Sequence, residues 1–377
     1  IHTALSARLR GTQSPKSFNN HLGVPLTLLA TPVDVDFVVA EVGTNHVGEI
    51  ETLAKIVRPD AAVITTIGTA HIGHFGSREA IAKEESALLK YVGAPSPALG
   101  SSKPSRGLAV VRGDEPYLES WRRDVIPAGT PVVTFGLNNT CDVHLKNAIR
   151  TDAAGVHFDV ASAQGPVAFT LPFLGEHNVT NALAAIAIAR WCGVPDEESA
   201  AALKQTRGVE MRMQLVHVGQ REDATGLTII NDAYNANPDS MSAALRTLAA
   251  LPVATGGRRV AILADMFELG DDAASEHARM GKLINELNAT ERRIDLTILI
   301  GKLMQPAAKE LQLAGAKAAA GEMVYFEIWA DDLPDRIAQL LRSSDLVLLK
   351  GSRGMRLERL VPAIEERFAP QPSGARP

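Results

Sequence analysis

The chain has 377 residues, 46% of them hydrophobic and 21% charged, and a formal net charge of -5. That length exceeds one typical core, so two domains are expected; the dispersed lysines and arginines argue against a nucleic-acid partner, and no apolar run reaches the roughly 18 residues of a membrane span or has the form of a signal peptide. Cys141 and Cys192 form neither a disulfide framework nor a metal-site spacing, and a cytoplasmic location fits these features.

In chain order, IHTALSARLR (1–10) reads as the tail of an amphipathic helix, so the chain is expected to be a fragment. From residue 36 to about 204, the runs FVVAEVG, AAVITTIG, GLAVV and PVVTFG alternate with the helical patterns SREAIAKEESALLKYV and NVTNALAAIAIARWCG. This βα alternation predicts a mostly parallel sheet with helices on its faces. GAPSPALGSSKPSRG (93–107) reads as a surface loop, and GVHFDVASAQGPVAFTLP (155–172) as a β-hairpin turning around 161–165. After residue 208, six apolar runs (MQLVHV, GLTII, RRVAILADM, DLTILIG, MVYFEIW, DLVLLKG) alternate with helical segments, which predicts a Rossmann-like domain. The expected organisation is therefore α/β, with a central domain over 1–207, a C-terminal domain over 208–370 and a disordered tail at 371–377.

The most informative stretch is IINDAYNANPDSM (229–241). An apolar strand breaks into Asn, Asp and Pro and resumes as a helix, the kind of corner where open parallel sheets bind ligands. Asn231, Asp232, Asn235 and Asn237 are short donors and acceptors; turn formation and helix capping are the alternative reading. Glu41 ends a strand at the same kind of sheet edge, and His71 follows the next strand, so the two are expected to lie side by side as a candidate divalent-cation site. Asn178 and Asn181 stand one turn apart where HNVTN opens a long Ala-rich helix.

The YNANPDSM string resembles a signature of the Mur ligases, in the form carried by members that add D-Ala-D-Ala to UDP-MurNAc-tripeptide. Six further segments resemble the family in order: SFNNHLGVPLTLL (17–29), EVGTNHVGEI (41–50), ITTIGTAHIGHFGS (64–77), LGEHNVTNALAAIAIA (174–189), ILADMFELG (262–270) and LLKGSRGMRLE (348–358). The resemblance implies a central ATPase domain, a C-terminal ligase domain and ATP-dependent amide formation through an acyl phosphate, in the peptidoglycan pathway. It implies Mg²⁺, with Mn²⁺ as an alternative, held by Glu41 and His71. Where the family usually has a carbamylated lysine this chain has Glu85, which supplies negative oxygens without the modification; Lys83, two positions earlier, does not share that helix face.

The same resemblance assigns His177, Asn178 and Asn181 to ATP, with Glu176 standing where an arginine is often found. It assigns Arg212 to phosphate and Asp232 to the ribose. Asn235, Asn237, Asp265, Glu268 and Ser352, with Lys350 as a catalytic candidate, are expected on loops facing an interdomain cleft, some of them binding the dipeptide. A phosphate loop GxxxxGK[ST] does not occur in these residues; it is expected upstream together with a UDP-binding domain, so the chain as given is expected to be inactive. The family suggests a monomer. Two other readings stay open: a Mur-type ligase with another acceptor, and a non-catalytic nucleotide-binding module.

Overall fold

The computed structural model describes residues 1–93, 107–152, 155–206, 208–219, 226–315 and 321–369. Most of the loop read at 93–107, and the tail at 371–377, lie outside the described residues. The chain divides into two compact units, one made of Ile1–Pro172 and Glu176–Arg207, the other of Phe173–Gly175 and Gly208–Pro377.

The first unit runs α1 (His2–Leu5), β1 (Gly11–Gln13), α2 (Gly23–Leu29), β2 (Phe37–Val39), α3 (Glu49–Val57), β3 (Ala61–Ile64), α4 (Ile72–Phe75), α5 (Arg78–Glu85), β4 (Leu108–Arg112), α6 (Leu118–Asp124), β5 (Val132–Gly136), β6 (Val143–His144), β7 (Arg150–Asp152), β8 (Gly155–Val160), β9 (Val167–Leu171), α7 (Glu176–Trp191) and α8 (Asp196–Lys204). Strands β3 to β6 form a four-stranded parallel sheet in chain order. Its apolar strands are covered by Phe75, Ile81, Leu89, Leu118 and Trp121, which form one buried cluster with Ala62, Ile64, Ala109 and Val111. Helix α7 is apolar on nearly every side and buries ten consecutive-turn residues from Val179 to Ala189, as a helix enclosed by its unit must. The expected hairpin forms from β8 and β9, paired from Val156↔Leu171 to Val160↔Val167.

One expectation is corrected here. The sequence pattern places the strand leading to Glu41 beside the strand leading to His71, but β2 pairs in parallel with β1 and β3 pairs with β4, in separate sheets. Strand β1 is only Gly-Thr-Gln, too short and too polar to show a period-two pattern, so the sequence concealed the true partner of β2.

The second unit runs β10 (Gln214–Val218), β11 (Leu227–Asn231), α9 (Pro238–Ala250), β12 (Arg259–Ala264), α10 (Ala273–Asn288), β13 (Leu296–Ile300), α11 (Gln305–Gly315), β14 (Glu322–Phe326), α12 (Leu333–Leu340), β15 (Leu346–Lys350) and α13 (Leu360–Arg367). Its sheet has the order β10-β11-β15-β12-β13-β14, parallel throughout except for β10, which runs antiparallel beside β11. Strands β12, β13 and β15 are buried along almost their whole length, which explains their unbroken apolar sequences. Because β15 inserts between β11 and β12, the loops that follow these three strands are neighbours along one edge, and the strand order switches there. Open α/β sheets bind ligands at such a point.

Candidate functional site

In the first unit, residues 41–50 are shaped by carboxylates and amides packed around a helix start. Glu41 is exposed; its Oε1 accepts from Asn19 Nδ2 at 2.9 Å, and its own N–H donates to Ser14 Oγ at 2.9 Å. Glu84 on α5, which the sequence did not single out, is buried and accepts from Gly48 N at 2.7 Å and Ile50 N at 2.8 Å, tying down the first turn of α3. That turn has unsatisfied N–H groups and a positive end, both of which favour a carboxylate.

Glu85, next along α5, has its carboxyl pushed up to about 7 by burial and then by the charge of Glu84, and no hydrogen bond to it is found among the described residues. Lys83 on the same helix is exposed. His71 is half-buried in a left-handed conformation (φ 58°) at the start of α4, with His74 at 6.4 Å between ring centroids. Arg78, on α5, donates to the Ile67 carbonyl from Nε and Nη2 and so fastens this helix to the loop before His71.

Among the described residues no three His, Cys, Asp or Glu side chains converge as a metal cage. Mg²⁺ uses one or two carboxylates and completes its shell with water and phosphate oxygens, so a cage is not required. A half-buried Glu85 without a hydrogen-bond donor among the described residues fits a nearby cation.

The first turn of α7 shows His177 and Asn181 exposed and Asn178 half-buried, while Val179 and Thr180 face the interior. Glu176, at the helix start, is exposed as well.

The second unit separates the candidates into two groups. Lys350 is 2% exposed, and its Nζ donates to Asp232 Oδ2 at 2.6 Å and to the Asn235 carbonyl at 3.0 Å. Burial lowers the pKa of this ammonium against the pull of Asp232. Asp232 Oδ1 also accepts from Met213 N at 3.1 Å, so the pair fixes the turn that displays Arg212. Arg212 in turn lies over the Tyr234 ring, 4.4 Å from its centroid. Removing one partner of such a buried pair leaves an uncompensated charge at a cost of about 3–5 kcal/mol.

Ser352 is buried; its N–H donates to the Asp265 carbonyl at 3.0 Å, and its Oγ accepts from Phe267 N at 2.8 Å. The Asp265 carboxylate accepts from Met304 N at 3.1 Å and is itself buried, which raises its pKa. Asn237 caps α9, accepting from Ser240 N at 2.8 Å in a capping box with Pro238 behind it. Asp265 and Ser352 stand on the loops after their strands, as expected, and Lys350 ends β15, but all three are buried and staple neighbouring loops together, because three adjacent loop backbones bring donors and acceptors that must be satisfied. Asn235 and Glu268 remain exposed on the same edge.

His277 on α10 was also missed. It is fully buried, with Nε2 accepting from Met266 N at 3.0 Å and Nδ1 against the Ala273 carbonyl at 2.6 Å. Nothing local in the sequence distinguishes it from a surface histidine.

Two α/β units, each with polar loops gathered at a sheet edge or helix start, and a strand-order switch in the second, define an α/β protein of the open-sheet class. Comparison with known proteins makes the class specific. Residues 1–189 match the Mur ligase middle domain and residues 211–353 match the Mur ligase glutamate ligase domain. The chain belongs to the Mur ligase family.

Among its relatives, the UDP-N-acetylmuramoyl-tripeptide--D-alanyl-D-alanine ligase of Bacillus subtilis is 33% identical over 368 residues, covering 96% of this chain and 71% of that protein. The ligase of the same name from Haemophilus influenzae is 32% identical, covering 93% and 69%. Among solved structures, MurF from Acinetobacter baumannii superposes with a TM-score of 0.78 at 31% identity, over 97% of this chain and 72% of that one. The α/β fold expected from the sequence is the fold of these proteins.

Proposed function

We propose that the protein is an ATP-dependent amide ligase that joins D-Ala-D-Ala to UDP-MurNAc-tripeptide, acting as a cytoplasmic monomer in the synthesis of peptidoglycan precursors. The observation that carries this reading is the match to ligases of that activity along nearly the whole chain, including the loop Tyr234–Met241 at the strand-order switch of the second unit.

In the reaction a carboxylate oxygen of the tripeptide attacks the γ-phosphorus of ATP, ADP leaves, and an acyl phosphate remains. The dipeptide amine then attacks the acyl carbon; phosphate departs and the nitrogen loses a proton. Positioning and charge stabilisation supply most of the catalysis in such phosphoryl transfers. Arg212 suits a phosphate because its planar fork makes paired hydrogen bonds, and the Tyr234 ring pre-orients it. Asp232, held by Lys350, is suited to accept from ribose hydroxyls. His177, Asn178 and Asn181 offer an open polar turn for the purine, and Asn235 and Glu268 offer exposed polar groups to the dipeptide. Glu41, His71 and Glu85, which do not converge as a three-ligand cage among the described residues, would each meet Mg²⁺, with Mn²⁺ as a substitute, alongside water and phosphate oxygens, and the ion would neutralise phosphate charge when bound.

The test is phosphate release by the complete gene product with ATP, Mg²⁺ and UDP-MurNAc-tripeptide, comparing D-Ala-D-Ala with single amino acids. Release that requires the dipeptide is expected. Release driven by a single amino acid would transfer the protein to another ligase specificity, and a folded protein that binds ATP yet releases nothing would make it a binding module.

A further inference from the structure

We infer that Arg353 binds the C-terminal carboxylate of the incoming dipeptide, an assignment that rests on the ligase reading above. Two cations near the end of β15 are already committed. Lys350 is buried and spent on Asp232 and Asn235, so the ammonium that ends β15 is not offered to a ligand. Arg212 lies on Tyr234, where the proposed nucleotide needs it. A dipeptide with a free carboxylate still requires a cation on this edge, because removing a carboxylate from water without a partner is costly.

Arg353 directly follows the stapled Ser352 and is 53% exposed along its side chain. Its Nη1 donates to Glu358 Oε1 at 2.7 Å and approaches Met211 Sδ at 3.4 Å. Both contacts use one nitrogen. Nε and Nη2 make no hydrogen bond among the described residues, so an edge of the guanidinium with two donors is open while the group is held in place. That edge matches a carboxylate in the two-point geometry arginine favours.

The neighbouring residue adds shape. A Cβ at Gly354 would come within 2.8 Å of Phe267 Cε2, so the Phe267 ring packs against the backbone beside Arg353, and it remains 41% exposed. An open guanidinium edge on Arg353 and an exposed aromatic ring packed on the adjacent Gly354 suit a carboxylate that carries a small apolar substituent, as an alanine terminus does. The other exposed cations nearby, Lys302 and Arg356, are oriented by no side-chain hydrogen bond or ion pair among the described residues.

The experiment uses the complete gene product and two acceptors, D-Ala-D-Ala and its C-terminal amide, in the phosphate-release assay. For the wild type, the amide should have a KM about tenfold higher or more than the dipeptide. Arg353→Gln should raise the dipeptide KM by a similar factor with kcat within about twofold, and should no longer distinguish the two acceptors. Glu358→Ala, which removes the acceptor that anchors Arg353 but keeps the guanidinium charge, should fall between. A KM unchanged in Arg353→Gln, or raised equally for both acceptors, overturns the assignment while leaving the ligase reading intact. No dipeptide-dependent release from the wild type overturns both.

Discussion

His277 shows how one buried side chain sets a pH limit on the second unit. Its Nε2 accepts the Met266 N–H, so the ring must be neutral at that nitrogen, and burial holds its pKa below the ordinary value of 6.5. Above that ordinary value both the folded and the unfolded ring are neutral, and the contribution to stability is complete. Below it the unfolded chain takes up a proton that the folded chain refuses. Stability therefore falls as pH drops from about 6.5 toward the lower folded pKa, by at most about 1.4 kcal/mol per pH unit. Glutamine at this position keeps an oxygen acceptor and does not titrate. Urea midpoints measured between pH 7.5 and 5.5 should fall less steeply in His277→Gln than in the wild type; parallel curves would show that the ring is not the source. Because Met266 sits between Asp265 and Phe267, the same proton would loosen the loop that Ser352 secures.

Helix α3 is governed by a partner 34 to 36 residues further along the chain. No side chain at its N-cap, Gly48, satisfies the first turn; Glu84 does so from α5. Glu84→Ala would leave two N–H groups of that turn without acceptors and should cost about 1–3 kcal/mol in chemical denaturation. Lys83→Ala, exposed one residue earlier, should change stability by less than about 0.5 kcal/mol. Equal effects of the two would show that α3 does not depend on this carboxylate. The contrast also marks what the sequence could reveal. The six strands of the second unit were legible because each is a short apolar run set off by turn residues, and the corner at 229–241 was legible because its capping chemistry is local. Strand β1 was not, since Gly-Thr-Gln carries no pattern, and neither was the burial of Lys350, whose partner Asp232 lies 118 residues away. Sequence showed which residues stand at the ends of strands; the long-range pairings that turn some of them inward came only from the fold.

Across the whole molecule, the polar groups proposed for the dipeptide belong to the second unit alone. They stand on the loops after β11, β12 and β15, which the order β11-β15-β12 makes neighbours. Staples through Ser352, Lys350 and His277 already hold the backbones of these loops, so the ligand would meet an ordered surface and order it further only at exposed positions such as Asn235, Phe267 and Arg353. Loops with less internal bonding exchange amide hydrogens through small local openings, and a bound ligand suppresses those openings. Hydrogen exchange of the complete gene product with saturating D-Ala-D-Ala and no nucleotide should therefore show added protection at 232–237, 265–270 and 351–358. Residues 41–50 and the first turn of α7 should exchange as in the free protein. Protection centred on those first-unit segments instead would place the dipeptide on the wrong unit and remove the basis for Arg353 as its carboxylate partner.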